Sequence, residues 1–143
     1  MNHILIIGSG VRECSIIKKL LEDSDKLNIK INIHCMGTNN NPYINENCNI
    51  YVVDKLSIDN LEIVLKQISK LSFAIIGPEA PLELGYSDYL ELNSIPCIGP
   101  LKNYAQIETS KSYCRHFLDK YTCYGNHSPK YYIKKPNENV NTL

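Results

Sequence analysis

Phe73-Ala74-Ile75-Ile76-Gly77-Pro78-Glu79-Ala80-Pro81-Leu82 is the stretch that decides how this chain folds. A short apolar run ends at a glycine, and a carboxylate follows between two prolines. The run reads as a buried strand and Gly77-Pro78 as its abrupt end. Proline fixes φ and carries no N–H, so a stiff loop bearing Glu79 is expected. An acid held just past a strand matters because open α/β sheets bind ligands at the carboxyl ends of their strands.

Working outward, the same signature recurs. Ile4-Leu5-Ile6-Ile7 is continuously apolar, closes at Gly8, and reads as a strand buried on both faces. Cys14, Ile17, Leu20 and Leu21 then fall at helical spacing, in a helix expected to reach about Asp23. Ile31 to Cys35 alternates and stops at Gly37, a second strand. Thr38 to Pro42 is made of turn residues and reads as a loop. Asn49 to Val53 is a third short strand. Ser57 is a candidate N-cap for a helix whose apolar face is Ile58, Leu61, Leu65, Ile68 and Leu71. After the Phe73 strand come a helix from about Leu84 to Leu92, the strand Ile95 to Ile98 closed by Gly99, and helices over about 102–108 and 110–121. This order predicts an α/β fold, a Rossmann-like (pre-ATP-grasp) mainly parallel sheet with helices on both faces. Gly8, Gly37, Gly77 and Gly99 should line one rim of it. Residues 1–122 are expected to form the domain and 123–143 a linker or edge strand and tail, with Lys130 to Lys134 as the candidate edge strand.

The bulk composition narrows the function. A chain of 143 residues with 43% hydrophobic content suits one soluble core. Fifteen basic and fifteen acidic residues leave zero net charge, so nothing in the charge balance argues for nucleic acid or for an anionic membrane. The sequence shows neither a secretion signal nor an apolar span long enough for a bilayer. The six cysteines lack any Cys-x-x-Cys pair, so the reading is reduced thiols in a cytoplasmic protein rather than zinc or disulfides. His3, His34, His116 and His127 show no partner cluster in the sequence.

Gly8-Ser9-Gly10-Val11-Arg12-Glu13 lies between the first strand and first helix and begins like the dinucleotide fingerprint. It departs at Glu13, which stands where the third glycine belongs. The acid that would hold a ribose at the end of the second strand is replaced by Cys35-Met36. With the first and fourth strands adjacent, Glu13 and Glu79 would reach one crevice, suited to hydroxyls or an amine rather than a phosphate. Taken singly, Glu13 is equally a first-turn acid answering the helix dipole and Glu79 a solvated loop acid. Arg12 could serve a phosphate or pair with Glu13. Lys111, next to Ser110 at a helix start, is a cation on the unfavourable end of a helix dipole and so a candidate ligand group.

In the order Gly-Ser-Gly-x-Arg-Glu, Gly-Pro-Glu-Ala-Pro-Leu, Ile-Gly-Pro and Ala-Gln-Ile-Glu-x-Ser-Lys, the chain resembles the N-terminal domain of the phosphoribosylamine–glycine ligase (glycinamide ribonucleotide synthetase) family, from about Ile4 to Tyr132. The resemblance implies an ATP-grasp ligase of purine biosynthesis, in which ATP and magnesium activate glycine for attack by 5-phosphoribosylamine. By position it implies substrate-binding roles for Gly8, Gly10, Arg12, Glu13, Pro78 and Glu79 and a nucleotide-phosphate role for Lys111. The ATP-grasp lysines, flap and metal carboxylates have no counterpart here. The implied reading is a domain inactive alone, binding no cofactor by itself, its partners being phosphoribosylamine or a related sugar phosphate and an ATP-grasp domain in cis or in trans. Val11, Cys14, Ser15 and Met36 to Asn40 depart from the family pattern, and Val11 is expected to crowd its loop. The alternative is a stand-alone, diverged sugar-phosphate-binding or protein-interaction module without ligase activity.

Overall fold

The computed structural model describes residues 1–121 and 129–134. They divide into two compact units, with the break after Ala105. The first unit holds five strands, β1 (Asn2–Ile7), β2 (Ile31–Gly37), β3 (Asn49–Val52), β4 (Leu71–Ile76) and β5 (Cys97–Ile98). All are parallel, in the order β3-β2-β1-β4-β5. Helices α1 (Val11–Leu27), α2 (Pro42–Asn47), α3 (Ile58–Gln67), α4 (Glu79–Glu83) and α5 (Tyr86–Leu92) connect them. Helix α6 (Lys102–Thr109) runs across the break, and α7 (Lys111–Tyr121) belongs to the second unit.

The register explains why the strands are apolar without alternation. Ile4 and Ile6 pair with Ile33 and Cys35 on one side and with Phe73 and Ile75 on the other. Their face packs against Ile17 of α1 and Ile44 of α2. Leu5 and Ile7 lie opposite Met36, Ala74 and Ile76 on the other face, under Leu61 and Val64 of α3, Leu82 of α4 and Tyr86 and Leu90 of α5. With helices on both faces, the central strand residues Ile4 to Ile7 and Ala74 to Ile76 are apolar on both sides of the sheet. The expected Rossmann-like α/β sheet is therefore present, and it is wholly parallel.

The differences lie at chain turns. Helix α1 continues past Asp23 to Leu27 and stops where Asn28 takes the left-handed conformation, φ 52°, which Asn tolerates. The expected loop around Pro42 contains a helix, α2. Asn41 caps it, its Oδ1 accepting from the N–H groups of Tyr43 at 3.1 Å and Ile44 at 3.4 Å, and Pro42 sits at the first helical position. Glu79 likewise stands on a helix rather than a stiff loop. Pro78 is the N-cap of α4, and Pro81 falls in the first turn, where its missing N–H costs no intrahelical bond. Gly85, at φ 83°, then separates α4 from α5. Ser57 caps α3 as expected, accepting from Asn60 N–H at 3.2 Å, and its carbonyl accepts the buried Tyr86 hydroxyl at 2.9 Å. Residues 130–134 form no strand; 122–128 and 135–143, with the rest of the expected linker and tail, lie outside the described residues. No described helix is long and apolar enough to cross a membrane.

The structure corrects the reading of the histidines as isolated. His3, His34 and Tyr51, far apart in sequence, are brought together across β1, β2 and β3. His3 Nδ1 lies 3.0 Å from His34 Nε2, and His34 Nδ1 lies 3.1 Å from the Tyr51 hydroxyl. Both ring pairs stack, and His34 is buried. Burial, reinforced by the neighbouring His3, lowers the His34 pKa below its ordinary 6.5. The folded state therefore binds fewer protons than the unfolded chain at mildly acid pH. Stability from this group is intact above about pH 6.5 and is lost as pH falls toward the depressed folded pKa. Melting temperature measured from about pH 7.5 to 5 should fall with pH, and His34→Gln should flatten that dependence. An unchanged pH profile in His34→Gln would count against the assignment.

Candidate functional site

Gly8, Gly37, Gly77 and Gly99 each stand at a strand's carboxyl end, and in an all-parallel sheet those ends share one edge. The sequence reverses its direction of growth between β1 and β4, the switch point at which such sheets open a crevice. There a cleft of about 260 Å³ is lined by Gly8, Gly10, Glu13, Gly37, Thr38 and Pro78, among others. Hollows of about 410 and 420 Å³ lie elsewhere, one among residues of α1 and the start of β2, the other between α5 and β5. Neither draws on the turn after β1 or β4, so the smaller cleft is the site the topology supports.

Glu13 organises it. The residue sits in the first turn of α1 yet is only 3% exposed, because its side chain turns back over the strand ends. Glu13 Oε2 accepts the Gly10 N–H at 2.6 Å, which supplies one of the donors that a helix start leaves unmatched. The carboxylate fills space that three glycines leave empty. A Cβ on Gly77 would lie 1.9 Å from Glu13 Oε1, one on Gly8 would lie 2.8 Å from Glu13 Cδ, and one on Gly10 would lie 3.1 Å from Oε2. Gly8 also needs its freedom for φ 118°. Glu13 is itself among the residues that line the cleft.

A second lock joins the turns after β1 and β2. Ser9 Oγ accepts the Asn39 N–H at 3.2 Å, and the Ser9 carbonyl accepts from Asn41 Nδ2 at 3.2 Å. Gly37 makes room for it, since a Cβ there would lie 2.3 Å from Ser9 Oγ. Beneath this loop the Cys35 thiol donates to the Gly8 carbonyl at 3.0 Å. Hydrogen bonding with Cys48, then burial, push the Cys35 pKa far up, so it is an inert packing thiol. Ser9, Thr38, Asn39 and Leu56 line the cleft without having been singled out in the sequence. For Ser9 and Asn39 the signal was available only as polar residues bracketing two strand-end glycines.

Of the residues singled out in the sequence, Gly8, Gly10, Glu13 and Pro78 line the cleft. Arg12 and Glu79 stand beside it and pair with each other, Arg12 Nη2 to Glu79 Oε1 at 3.6 Å, while Arg12 Nη1 donates to the Gly77 carbonyl. Arg12 therefore bridges to the turn after β4 and to α4 rather than to Glu13, whose carboxylate is turned inward. The pair is about half exposed, and its own contribution to stability is under about 1 kcal/mol. The Val11 side chain is 81% exposed, so it leaves the loop uncrowded, contrary to expectation. Lys111 is exposed at the start of α7, in the second unit. The cleft offers a carboxylate, hydroxyls and backbone groups, with no lysine or arginine in its lining. Among the described residues no three His, Cys, Asp or Glu side chains group as a metal ion would require. ATP with magnesium does not fit such a lining.

A parallel sheet covered on both faces, with a crevice at its switch point and Glu13 in place of the fingerprint's third glycine, defines a Rossmann-like α/β domain that departs from the dinucleotide-binding pattern. Residues 2–108 match the family model described as phosphoribosylglycinamide synthetase, N domain, and the chain belongs to that family. It is 36% identical over 115 residues to a phosphoribosylamine–glycine ligase of Methanocella arvoryzae, a match covering 80% of this chain and 26% of that protein. It is 37% identical over 118 residues to the enzyme of the same name from Methanosphaera stadtmanae, covering 82% and 25%. The Listeria monocytogenes enzyme is 36% identical over 120 residues, covering 83% and 27%. The chain thus spans about a quarter of the length of these relatives.

The Glu13–Gly77 contact is open to a direct test. Gly77→Ala should destabilise the fold by about 1–3 kcal/mol, because its methyl meets the carboxylate while the backbone φ itself is unstrained. In Glu13→Ala the same methyl has room, so the double substitution should cost less than the sum of the two singles, with a coupling of about 0.5–3 kcal/mol in urea unfolding. Strict additivity would show that the side chain does not occupy that space in solution.

Proposed function

We propose that this chain forms the amino-sugar wall of a phosphoribosylamine–glycine ligase, holding 5-phosphoribosylamine at the β1–β4 crevice while glycine activation proceeds on another domain. The observation that carries this reading is the Glu13 carboxylate, seated between Gly8, Gly10 and Gly77 at the cleft, in a chain of the N-domain family. A carboxylate acceptor and hydroxyl neighbours suit ring hydroxyls or an ammonium group. Arg12 and Glu79 beside the cleft are the half-exposed charged groups in this reading, a cation for a phosphate and an anion for the amine.

ATP and magnesium supply the acyl-phosphate chemistry in this reading. They do so away from this cleft, whose lining does not suit them. The chain contributes binding and orientation, the part of catalysis that fixes the attacking amine. Alone it is expected to bind without turning over. Lys111 is assigned by resemblance to the nucleotide side, in the second unit. The described cysteines are all free, which suits work in the cytoplasm.

The test is thermal stabilisation by ligand. Ribose 5-phosphate or glycinamide ribonucleotide should raise the melting temperature, with a gain of about 2.7 kcal/mol when the ligand stands at a hundred times its Kd. Glu79→Ala and Arg12→Ala should each weaken that shift while leaving the unliganded unfolding free energy within about 1 kcal/mol of wild type, as half-exposed ion-pair residues do. The absence of any shift at high millimolar ligand would sink the reading.

A further inference from the structure

Three thiols gather on one side of the sheet, each from a different element: Cys14 on α1, Cys35 on β2 and Cys48 between α2 and β3. Cys35 is fully buried in the core cluster of that side, and Cys14 and Cys48 pack against it half-buried. Two of them touch. Ile50 is the register partner of Cys35 on the neighbouring strand, and Cys48 lies two residues before it, on the same face by the period of a strand. The Cys35 and Cys48 side chains are hydrogen-bonded to each other.

The pair is asymmetric. Cys35 has one S–H and two acceptors in reach, the Gly8 carbonyl at 3.0 Å and the Cys48 sulfur. Hydrogen bonding from Cys35 holds the Cys48 pKa below the ordinary thiol value, and burial opposes this in part. The same bond, then burial, pushes Cys35 the other way and keeps it inert toward reagents in solution. A half-buried thiol that ionises first, beside a buried one that stays protonated, is the arrangement of an attacking and a resolving cysteine.

We propose that Cys48 and Cys35 form a thiol–disulfide exchange site for low-molecular-weight disulfides of the glutathione type, and that its closure reaches the β1–β4 cleft through the Gly8 carbonyl. The Cys48 thiolate attacks one sulfur of the reagent, forming a mixed disulfide and releasing one thiolate, which takes up the Cys48 proton. The contact that most raised the Cys35 pKa is then lost, and Cys35 gives up its proton and attacks the Cys48 sulfur. The reagent's second thiol leaves with that proton. Two protein thiols are oxidised to one disulfide, and the reagent disulfide is reduced to two thiols. The bridge runs diagonally to the strand register, so closing it draws the α2–β3 junction toward β2 and leaves a strained, easily reduced bond. Transient bonds of this kind are the ones found in reducing compartments. Once bridged, Cys35 has no S–H for the carbonyl of Gly8, a buried residue of the cleft lining. The exchange site stands on the thiols alone; only a consequence for ligand binding rests on the sugar-phosphate reading of the cleft.

The experiment incubates the full 143-residue chain with oxidised glutathione at neutral pH, quenches with N-ethylmaleimide and maps the cysteines by peptide mass spectrometry. The expected product is a Cys35–Cys48 cross-linked peptide that dithiothreitol reverses. In Cys35→Ser, whose hydroxyl keeps a donor for the Gly8 carbonyl, Cys48 should stop at the glutathione adduct. In Cys48→Ser, Cys35 should react at least about tenfold more slowly than Cys48 does in Cys35→Ser. Cys14→Ser should behave as wild type. Hydrogen exchange of the backbone amides of residues 8–13 should quicken in the oxidised chain. No ligand is present in that measurement, so it stays readable even where the sugar-phosphate shift fails. A bridge through any other cysteine, an adduct on Cys48 that never resolves in the wild-type chain, or unchanged amide exchange on oxidation would overturn the proposal.

Discussion

A carboxylate wedged between three glycines is the constraint on which the strand-end site depends. Glu13 reaches back from α1 to satisfy the Gly10 N–H and to fill the space above Gly8 and Gly77. It therefore ties the first turn of a helix to the ends of two adjacent strands. Because β1 and β4 are neighbours across the switch point, that one side chain sets the width of the crevice between them. Where a dinucleotide-binding domain has a third glycine and room for a pyrophosphate, this domain has an anion already in place. Glu13 fills the space that the dinucleotide motif keeps open for a pyrophosphate.

The surrounding architecture protects that arrangement. Both faces of the sheet are packed, so β1 and β4 cannot shift relative to each other without disturbing one of two cores. Ser9 holds the turn after β1 to the turn after β2, and the Cys35 thiol bonds the Gly8 carbonyl from below. Arg12 and Glu79 lie outside this frame, half exposed, in a weak ion pair. Buried, hydrogen-bonded groups thus line the cleft, and half-exposed charged ones stand beside it.

Much of the fold was legible in the chain because apolar runs closed by glycine are strong local signals. Strands at Ile4, Ile31, Asn49 and Phe73 and the Ser57 cap follow from residues adjacent in sequence. The failures were also local but concerned proline. Asn41-Pro42 and Pro78-Glu79-Ala80-Pro81 were read as loop, although proline in a first turn is compatible with a helix. Asn41 followed by Pro42 carried the start signal of α2 openly.

The pairing of residues across the sheet was a different matter. Nothing near His34 in sequence announces His3 or Tyr51; parallel register alone sets them side by side. The same holds for the charges at the crevice. The amino-acid sequence by itself determined the α/β alternation, the glycines at the strand ends and the presence of acids beside them, because each rests on short-range pattern and backbone conformation. Only the tertiary structure decided that Glu13 turns inward to fill the glycine socket while Arg12 turns to Glu79. That choice depends on which strand lies next to β1 and on how much space its terminal glycine leaves.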